Sequence, residues 1–459
     1  MTIGLLPLGR STFDVPFAED MLDAMLARLD ATGRAFIGPR QLLFDADATR
    51  AALAEIASAG AERILILQVT FTDAAMTVEA TNTGLPVSIW AVPEPRLGGR
   101  LRLNAFCGLN LASHALGRNG RDFAWAYDRA DSIEEEVLAG LLDGTRAAGR
   151  LSPDRVGQSG AAGRRIADAV SGRRIGRIGE HPAGFDTCAY DAPTLRALAG
   201  VEVDDIPLVR LFDAARAVSP DQVKPVRAIA DAVLAGLDKV DQDQLDRSLR
   251  LKVALDGFQT SGGYDAFAIR CWPETFTEYG GAVCGPVSMM GEARVPCACE
   301  ADVYGALSQM ILQEASDGPV FLTDVVDMDV EDDSAVIWHC GQAPISMRDP
   351  DQPADATIHT NRRMPLLYQF ALKPGRITLM RISQAFGEPR MILAGAEMLK
   401  RPMAFTGTSG VLRFDRPVKS VLPDLIASGL EHHLAVAFGD HRAILREVSA
   451  AMNLPLLEL

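Results

Sequence analysis

The chain has 459 residues, of which 48% are hydrophobic and 23% charged, enough for two or three domains with sizeable cores and too many for one. A net charge of −15 at pH 7 argues against a surface for nucleic acid or an anionic membrane, and no apolar run approaches the roughly 20 residues of a membrane span. The opening MTIGLLPLGRSTFD lacks the basic start and long apolar stretch of a signal peptide, and the seven cysteines are odd in number and scattered, unlike a disulfide framework. A reduced, cytoplasmic protein is expected, with neither nucleic acid nor membrane as partner.

Residues 1–148 alternate strand and helix. IGLLPLG is followed by the amphipathic FAEDMLDAMLARLDATG; AFIG and QLLF precede the helical DATRAALAEIASAG; RILILQVT and PVSIWAV read as strands, and a long helix is expected over SIEEEVLAGLLDGTRAAG. Such alternation builds a mostly parallel sheet covered on both faces, with ligands at the carboxyl ends of its strands. Arg10, Asp14, Gln68, Thr70, Trp90 and Glu94 lie at or near such ends; taken singly, each reads more simply as a turn residue or cap. The glycine-rich GQSGAAGRR at 157–165 has no Gly-Lys-Ser/Thr ending and no preceding strand, so it is neither a phosphate loop nor a dinucleotide fingerprint. A helix packed closely on a neighbour accounts for it better.

A second α/β unit, 149–318, runs from the strand RIGRIG through helices near 191–199, 219–236 and 240–257 to the strand AFAIRCW and a final helix after Glu300. From 319 to 459 the texture changes to short strands separated by turn residues, the pattern of an antiparallel barrel or sandwich. The expected fold is therefore α/β: two doubly wound, Rossmann-like domains followed by a β-rich, barrel-like C-terminal domain.

The stretch CACEADVYGALSQMILQEASDGPVFLTDVVDMD, Cys297–Asp329, holds the most suggestive chemistry. Val303, Leu307, Met310 and Ile311 recur at helical spacing after Glu300, and Asp317-Gly318-Pro319 stops the helix before a returning strand that carries Asp324. Two carboxylates brought together in an apolar site repel and are usually joined by a cation or a shared proton. The plainer account makes Glu300 and Asp302 favourable charges at a helix N-terminus and Asp324 a turn residue. Cys297 and Cys299 read as packing, since no second pair completes a zinc site. His339 ends the strand AVIWH, His359 lies in ATIHTNR, and His432 and His433 are adjacent. If HHLAVAFG is a strand, only one of the last two enters a given site. His433 shares its face with Ala435 and Ala437, which would leave room for a ligand. Glu300, Asp324 and His433 together would suit Mn²⁺, or Mg²⁺ and related ions such as Co²⁺, better than structural Zn²⁺.

These residues resemble the L-fucose isomerase and L-arabinose isomerase superfamily, and the C-terminal half is closest to the fucose isomerase type. Glu300 in CEADVYGAL and Asp324 in FLTDV stand at the separation of that family's catalytic carboxylates. HHLAVAFGDH looks like its metal-binding histidine segment, and REVSAAMNLPL like its last helix and strand. The resemblance implies an Mn²⁺-dependent aldose–ketose isomerase acting on a free, unphosphorylated sugar, with proton transfer between C1 and C2 through an enediol(ate). It implies Glu300 and Asp324 as catalytic residues and metal ligands and His433 as a further ligand; His339 is a candidate metal ligand that falls near where arabinose isomerases place an additional histidine and fucose isomerases use none. It also implies a homo-oligomer, with hexamers a family habit. Gln68, Trp90, Glu94 and His432 are candidates for hydroxyl recognition. Arg362 and Arg363, in TNRRMP, are candidates to meet an anionic group such as a sulfonate or carboxylate, with surface charge as the plainer account. The alternatives are a non-catalytic sugar-binding protein and a related metal-dependent epimerase or lyase.

Overall fold

The computed structural model describes residues 1–459 and contains three sheets. The first is five-stranded and wholly parallel, in the order Ala35–Ile37, Thr2–Leu8, Arg63–Gln68, Val87–Ala91, Phe123–Tyr127. Its helices show why the strand–helix alternation was readable. Val15–Asp30, for instance, begins at Asp14, whose side chain accepts the Phe17 N–H, has proline in its first turn, and buries Ala18, Leu22, Met25, Leu26 and Leu29. The second sheet is four-stranded and parallel, in the order Glu202–Ile206, Arg174–Ile178, Ala266–Ile269, Cys297–Cys299.

The third sheet is nine-stranded. Six of its strands, Thr408–Phe414, Ser334–His339, Phe321–Asp329, His433–Phe438, Gly375–Ser383 and Arg390–Met398, pair antiparallel in that order. Arg390–Met398 pairs back onto Thr408–Phe414, which closes the barrel. Closure removes the exposed edges that an open sheet of such apolar strands would present. The α/β fold with two Rossmann-like units and a β-rich barrel is thus as the sequence implies. No helix is long and apolar enough to cross a membrane.

Three local expectations fail. The helix expected over 132–149 spans only Glu135–Asp143, because Gly144 turns into the left-handed region and ends it. QLLF contributes a single bridge, Leu43 to Leu8, rather than a strand. The small residues Ala435 and Ala437 make room for a helix and not for a ligand: both are buried in one cluster with Val303, Leu307, Met310 and Ile311 of the helix Val303–Ser316. That helix lies between the second parallel sheet, through Ala268 and Ala298, and the barrel, through Met380, Ile382 and Leu322.

The glycine-rich segment does open a close-packed helix, Ala161–Val170, set against Arg442–Ala451. A Cβ on Gly163 would lie 2.3 Å from the backbone carbon of Glu447, whereas one on Gly157 would meet nothing within 4 Å. Gly163→Ala is therefore expected to lower stability by about 1–3 kcal/mol in thermal or urea unfolding, and Gly157→Ala to be near neutral. Equal melting of the two variants would show that the helices are not in backbone contact there.

Candidate active site

The parallel sheets and the barrel meet around one cleft. Arg10, Thr12 and Phe13 follow the strand Thr2–Leu8; Trp272 follows Ala266–Ile269; Glu300 follows Cys297–Cys299; Asp324 and His339 belong to barrel strands. The contributions from both parallel sheets thus come from strand carboxyl ends, as open α/β sheets dispose their ligands.

Glu300 sits in a turn. It and Ala301 adopt φ of 58° and 55°, a left-handed conformation that costs an ordinary residue about 1–2 kcal/mol. The turn delivers the chain to Asp302, which caps the helix Val303–Ser316 by accepting the Gly305 N–H at 2.8 Å. Glu300 Oε1 accepts the indole N–H of Trp272 at 2.9 Å, and Oε2 pairs with His432 Nε2 at 2.9 Å. Burial alone would raise the Glu300 pKa, but the hydrogen bond and charge of His432, the charge of His433 and the indole N–H outweigh it and hold the carboxyl below its ordinary range.

Asp324 faces His433 directly across the antiparallel pair of strands Phe321–Asp329 and His433–Phe438, so both side chains leave the sheet on one side. Asp324 Oδ1 lies 3.6 Å from His433 Nε2, and Glu300 Oε2 lies 3.9 Å from the same nitrogen. His433 Nδ1 is tied to Asp302 Oδ2 at 2.9 Å, which leaves Nε2 aimed between the two carboxylates. Burial, reinforced by the charge of the adjacent His432, lowers the His433 pKa and keeps its imidazole neutral, the form that ligates metals. For His432, burial also disfavours the charge, but Glu300 outweighs it and the pKa is raised.

Asp302 is in turn held by Arg381. Their side chains are 1% and 0% exposed, and Arg381 Nη2 donates to Asp302 Oδ1 at 3.0 Å. Burial works against the Asp302 charge, yet Arg381 and His433 hold the carboxyl well below the ordinary range. A Cβ on Gly305 would stand 2.5 Å from Asp302 Oδ2 and 3.1 Å from Arg381 Nη1, so this cap and ion pair require glycine there.

Two groupings of donor atoms fall within 4.8 Å: Asp324, His339 and His433, and Cys188, Glu300, His432 and His433. Burial pushes the Cys188 thiol well up, so it stays protonated and is a poor ligand. Asp324 Oδ1, by contrast, is buried with no hydrogen-bond partner, and an orphaned carboxylate oxygen of that kind is what a hard cation would satisfy.

The structure therefore brings Glu300, Asp324, His433, His339 and His432 together. His432 lines the cleft and His433 lies just behind it against Glu300 and Asp324; the strand begins at His433, so strict alternation does not govern His432. The other candidates lie elsewhere. Trp90 is fully buried and donates to the Asp128 carbonyl. Gln68 is buried and donates to Thr70 O and Thr72 Oγ1. Glu94 accepts the N–H groups of Arg102, Leu103 and Asn104. Gln68 and Glu94 hold the segments carrying Phe71 and Asn104, which do line the cleft. Arg363 is exposed, and its neighbour Arg362 is the one that lines the cleft. Trp272, Asp302 and Arg381 were missed as site residues. Of these only Trp272 had a sequence signal, its place at the end of AFAIRCW.

The chain aligns over its whole length with the sulfoquinovose isomerase of Alkalicoccus urumqiensis, at 30% identity over 100% of this chain and 99% of that one. The chain belongs to the fucose/sulfoquinovose isomerase family. The model of the family's N-terminal domain matches residues 4–146. The sulfoquinovose isomerase of Priestia aryabhattai is 28% identical over 99% of this chain and 98% of its own. Family membership agrees with the superfamily that the motifs around Glu300, Asp324 and His433 imply. Among solved structures, a galactofuranose binding protein covers 70% of the chain and 90% of its own at 9% identity and a TM-score of 0.19, a likeness too slight to bear on fold or function.

Asp302→Asn would leave the buried Arg381 with the more distant Glu431, at 3.9 Å, as its remaining counter-charge, at an expected cost of about 3–5 kcal/mol, measurable by urea unfolding. A cost under about 1 kcal/mol would mean that the pair is dispensable to the site's framework.

Proposed function

We propose that the protein is a divalent-metal-dependent isomerase that interconverts an open-chain aldose and its 2-ketose. The aldose we propose is the C6-sulfonated hexose named for its relatives. The observation that carries this reading is the convergence of Glu300 Oε2 and Asp324 Oδ1 on a single imidazole nitrogen of His433, at 3.9 and 3.6 Å, with Asp324 Oδ1 lacking any donor. Bonds of roughly 2.0–2.6 Å to a hard cation put neighbouring ligand atoms about 3–4 Å apart; each carboxylate stands at that distance from His433 Nε2, and the two carboxylates, which share no grouping within 4.8 Å, would take well-separated positions around the ion. Two carboxylates and an imidazole favour Mn²⁺, with Mg²⁺ or Co²⁺ as substitutes. Glu300, Asp324 and His433 would hold it, and His339 would supply a fourth donor from the next strand.

When bound, such an ion acts as a Lewis acid toward the sugar's carbonyl and its neighbouring hydroxyl. The remaining work belongs to the chain. One of the two carboxylates takes the proton from C2 and returns it to C1, while the other moves the proton between the two oxygens. Trp272 and His432, each bonded to a different oxygen of Glu300, keep that carboxylate in one orientation. Phe185 packs edge-on against Trp272 and His432, with ring centroids 5.2 and 6.0 Å away, and supports the two rings that hold Glu300. A free sugar agrees with the lack of a phosphate-cradling loop in the sequence.

Stripping the metal with EDTA is expected to abolish turnover of the sulfonated aldose, and Mn²⁺ to restore it better than Ca²⁺. Glu300→Gln and Asp324→Asn are each expected to cut kcat by about 10²–10⁴ with melting little changed. Turnover that survives exhaustive chelation, or a near-normal kcat in either variant, would overturn the mechanism. A non-catalytic sugar binder would show no turnover before or after metal is supplied.

A further inference from the structure

Beyond the indole of Trp272 the cleft holds two guanidinium groups that the proton transfer does not use. Arg10 Cζ lies 4.8 Å from the Trp272 ring centroid and 5.6 Å from that of Phe71, and Arg362 Cζ lies 5.4 Å from Trp272. Because the indole N–H is bonded to Glu300 Oε1, the pair of cations stands one ring away from a candidate catalytic carboxylate.

Their charges are poorly compensated. Arg362 lines the cleft, yet its guanidinium enters none of the ion pairs or hydrogen bonds, and Arg10 has a single, long ion pair, to Asp73 at 3.9 Å. The acidic residues among those lining the cleft are Glu300 and Asp324, which face the histidines. Two like charges in a half-buried cleft repel, and they persist only where the surrounding structure holds them.

That holding is visible. Thr70 Oγ1 accepts the Arg10 backbone N–H at 2.9 Å. His359 Nδ1 accepts the N–H groups of Asn361 and Arg362, both at 3.2 Å. Arg100 Nη2 joins the two segments by donating to Thr12 O at 2.8 Å and Asn361 Oδ1 at 2.9 Å. The loop bearing Arg10, from the first parallel sheet, and the turn bearing Arg362, from the C-terminal region, are thus fastened with both cations facing one space.

We propose that Arg10 and Arg362 seat the oxyanion at the far end of the sugar, and so set the register in which its C1–C2 end meets Glu300 and Asp324. Planar guanidinium forks suit a tetrahedral or planar oxyanion, and a sulfonate fits because it stays ionised at any working pH. This assignment rests on the isomerase reading for the other end of the cleft, and adds to it the residues that choose an anionic sugar over a neutral one.

The test compares wild type, Arg10→Gln, Arg362→Gln and Arg362→Lys on three hexoses that carry a sulfonate, a carboxylate or a hydroxyl at C6. It uses steady-state kinetics and, independently of turnover, calorimetric binding of the same sugars, with melting curves to check folding. Each Gln variant is expected to lose about 10- to 100-fold in kcat/KM on the sulfonated sugar, chiefly through KM, and to bind it correspondingly more weakly. The loss on the hydroxyl sugar should be much smaller, and Arg362→Lys should fall between wild type and Arg362→Gln. A stronger response from the carboxylate sugar than from the sulfonate would change the anion, not the seat. Folded Gln variants that keep the wild-type preference for the anionic sugar would overturn the assignment and leave the isomerase reading standing. Arginine-dependent binding of the sulfonated sugar without any turnover would uphold the seat and overturn the isomerase reading.

Discussion

The cleft depends on one buried carboxylate. Asp302 caps the helix Val303–Ser316, receives Arg381 from a barrel strand, and fixes Nδ1 of His433. A buried arginine and a buried carboxylate each lose several kcal/mol of hydration, which only close pairing and further hydrogen bonds recover. Arg381 also lies 3.9 Å from Glu431 and donates to the Thr187 carbonyl, so the pair is knit into three parts of the chain. Because Asp302 occupies the Nδ1 side of His433, the other ring nitrogen can face only the space between Glu300 and Asp324. An orienting carboxylate behind a ligating histidine is a recurrent device of metal sites.

The three-part fold gives this cleft its polarity. A parallel sheet offers strand ends on one edge, and here two such edges face each other across the mouth of a barrel. The first sheet brings Arg10, the second brings Trp272 and Glu300, and the barrel brings Asp324 and His339, with His433 opposite Asp324 on the neighbouring strand. Acids and imidazoles thereby gather against the barrel, and the guanidinium groups of Arg10 and Arg362 stand beyond Trp272. A substrate with one reactive end and one charged end has a single sensible direction in such a cleft.

Much of this was legible in the residues. The helical period of Val303, Leu307, Met310 and Ile311, the stop at Asp317-Gly318-Pro319 and the returning strand placed Glu300 and Asp324 at one end of a layer, where the structure also has them. His433 was legible too, although for a partly wrong reason: Ala435 and Ala437 are small because a helix lies on them. What could not be read are relations between segments distant in sequence. Asp302 looks like an ordinary helix cap until Arg381 and His433 arrive from two barrel strands. Gln68, Trp90 and Glu94 stand near strand ends, as ligand contacts do, but each bonds within its own domain: Trp90 and Glu94 to backbone, and the Gln68 amide N–H to Thr70 O and Thr72 Oγ1. Arg362 and Arg363 are indistinguishable as letters. The turn folded about His359, with Arg363 at a φ of 61°, turns one inward and leaves the other in solvent.

The central claim is that Glu300, Asp324 and His433 surround the place of a single divalent ion. Electron paramagnetic resonance titration of Mn²⁺ into metal-stripped protein measures this directly, with His433→Gln beside the wild type and thermal melting to confirm that both are folded. The account predicts one tight Mn²⁺ per chain in the wild type and at least about a tenfold loss of affinity in the variant. Equal Mn²⁺ affinity in the two folded proteins, or no tight site in the wild type, would contradict it.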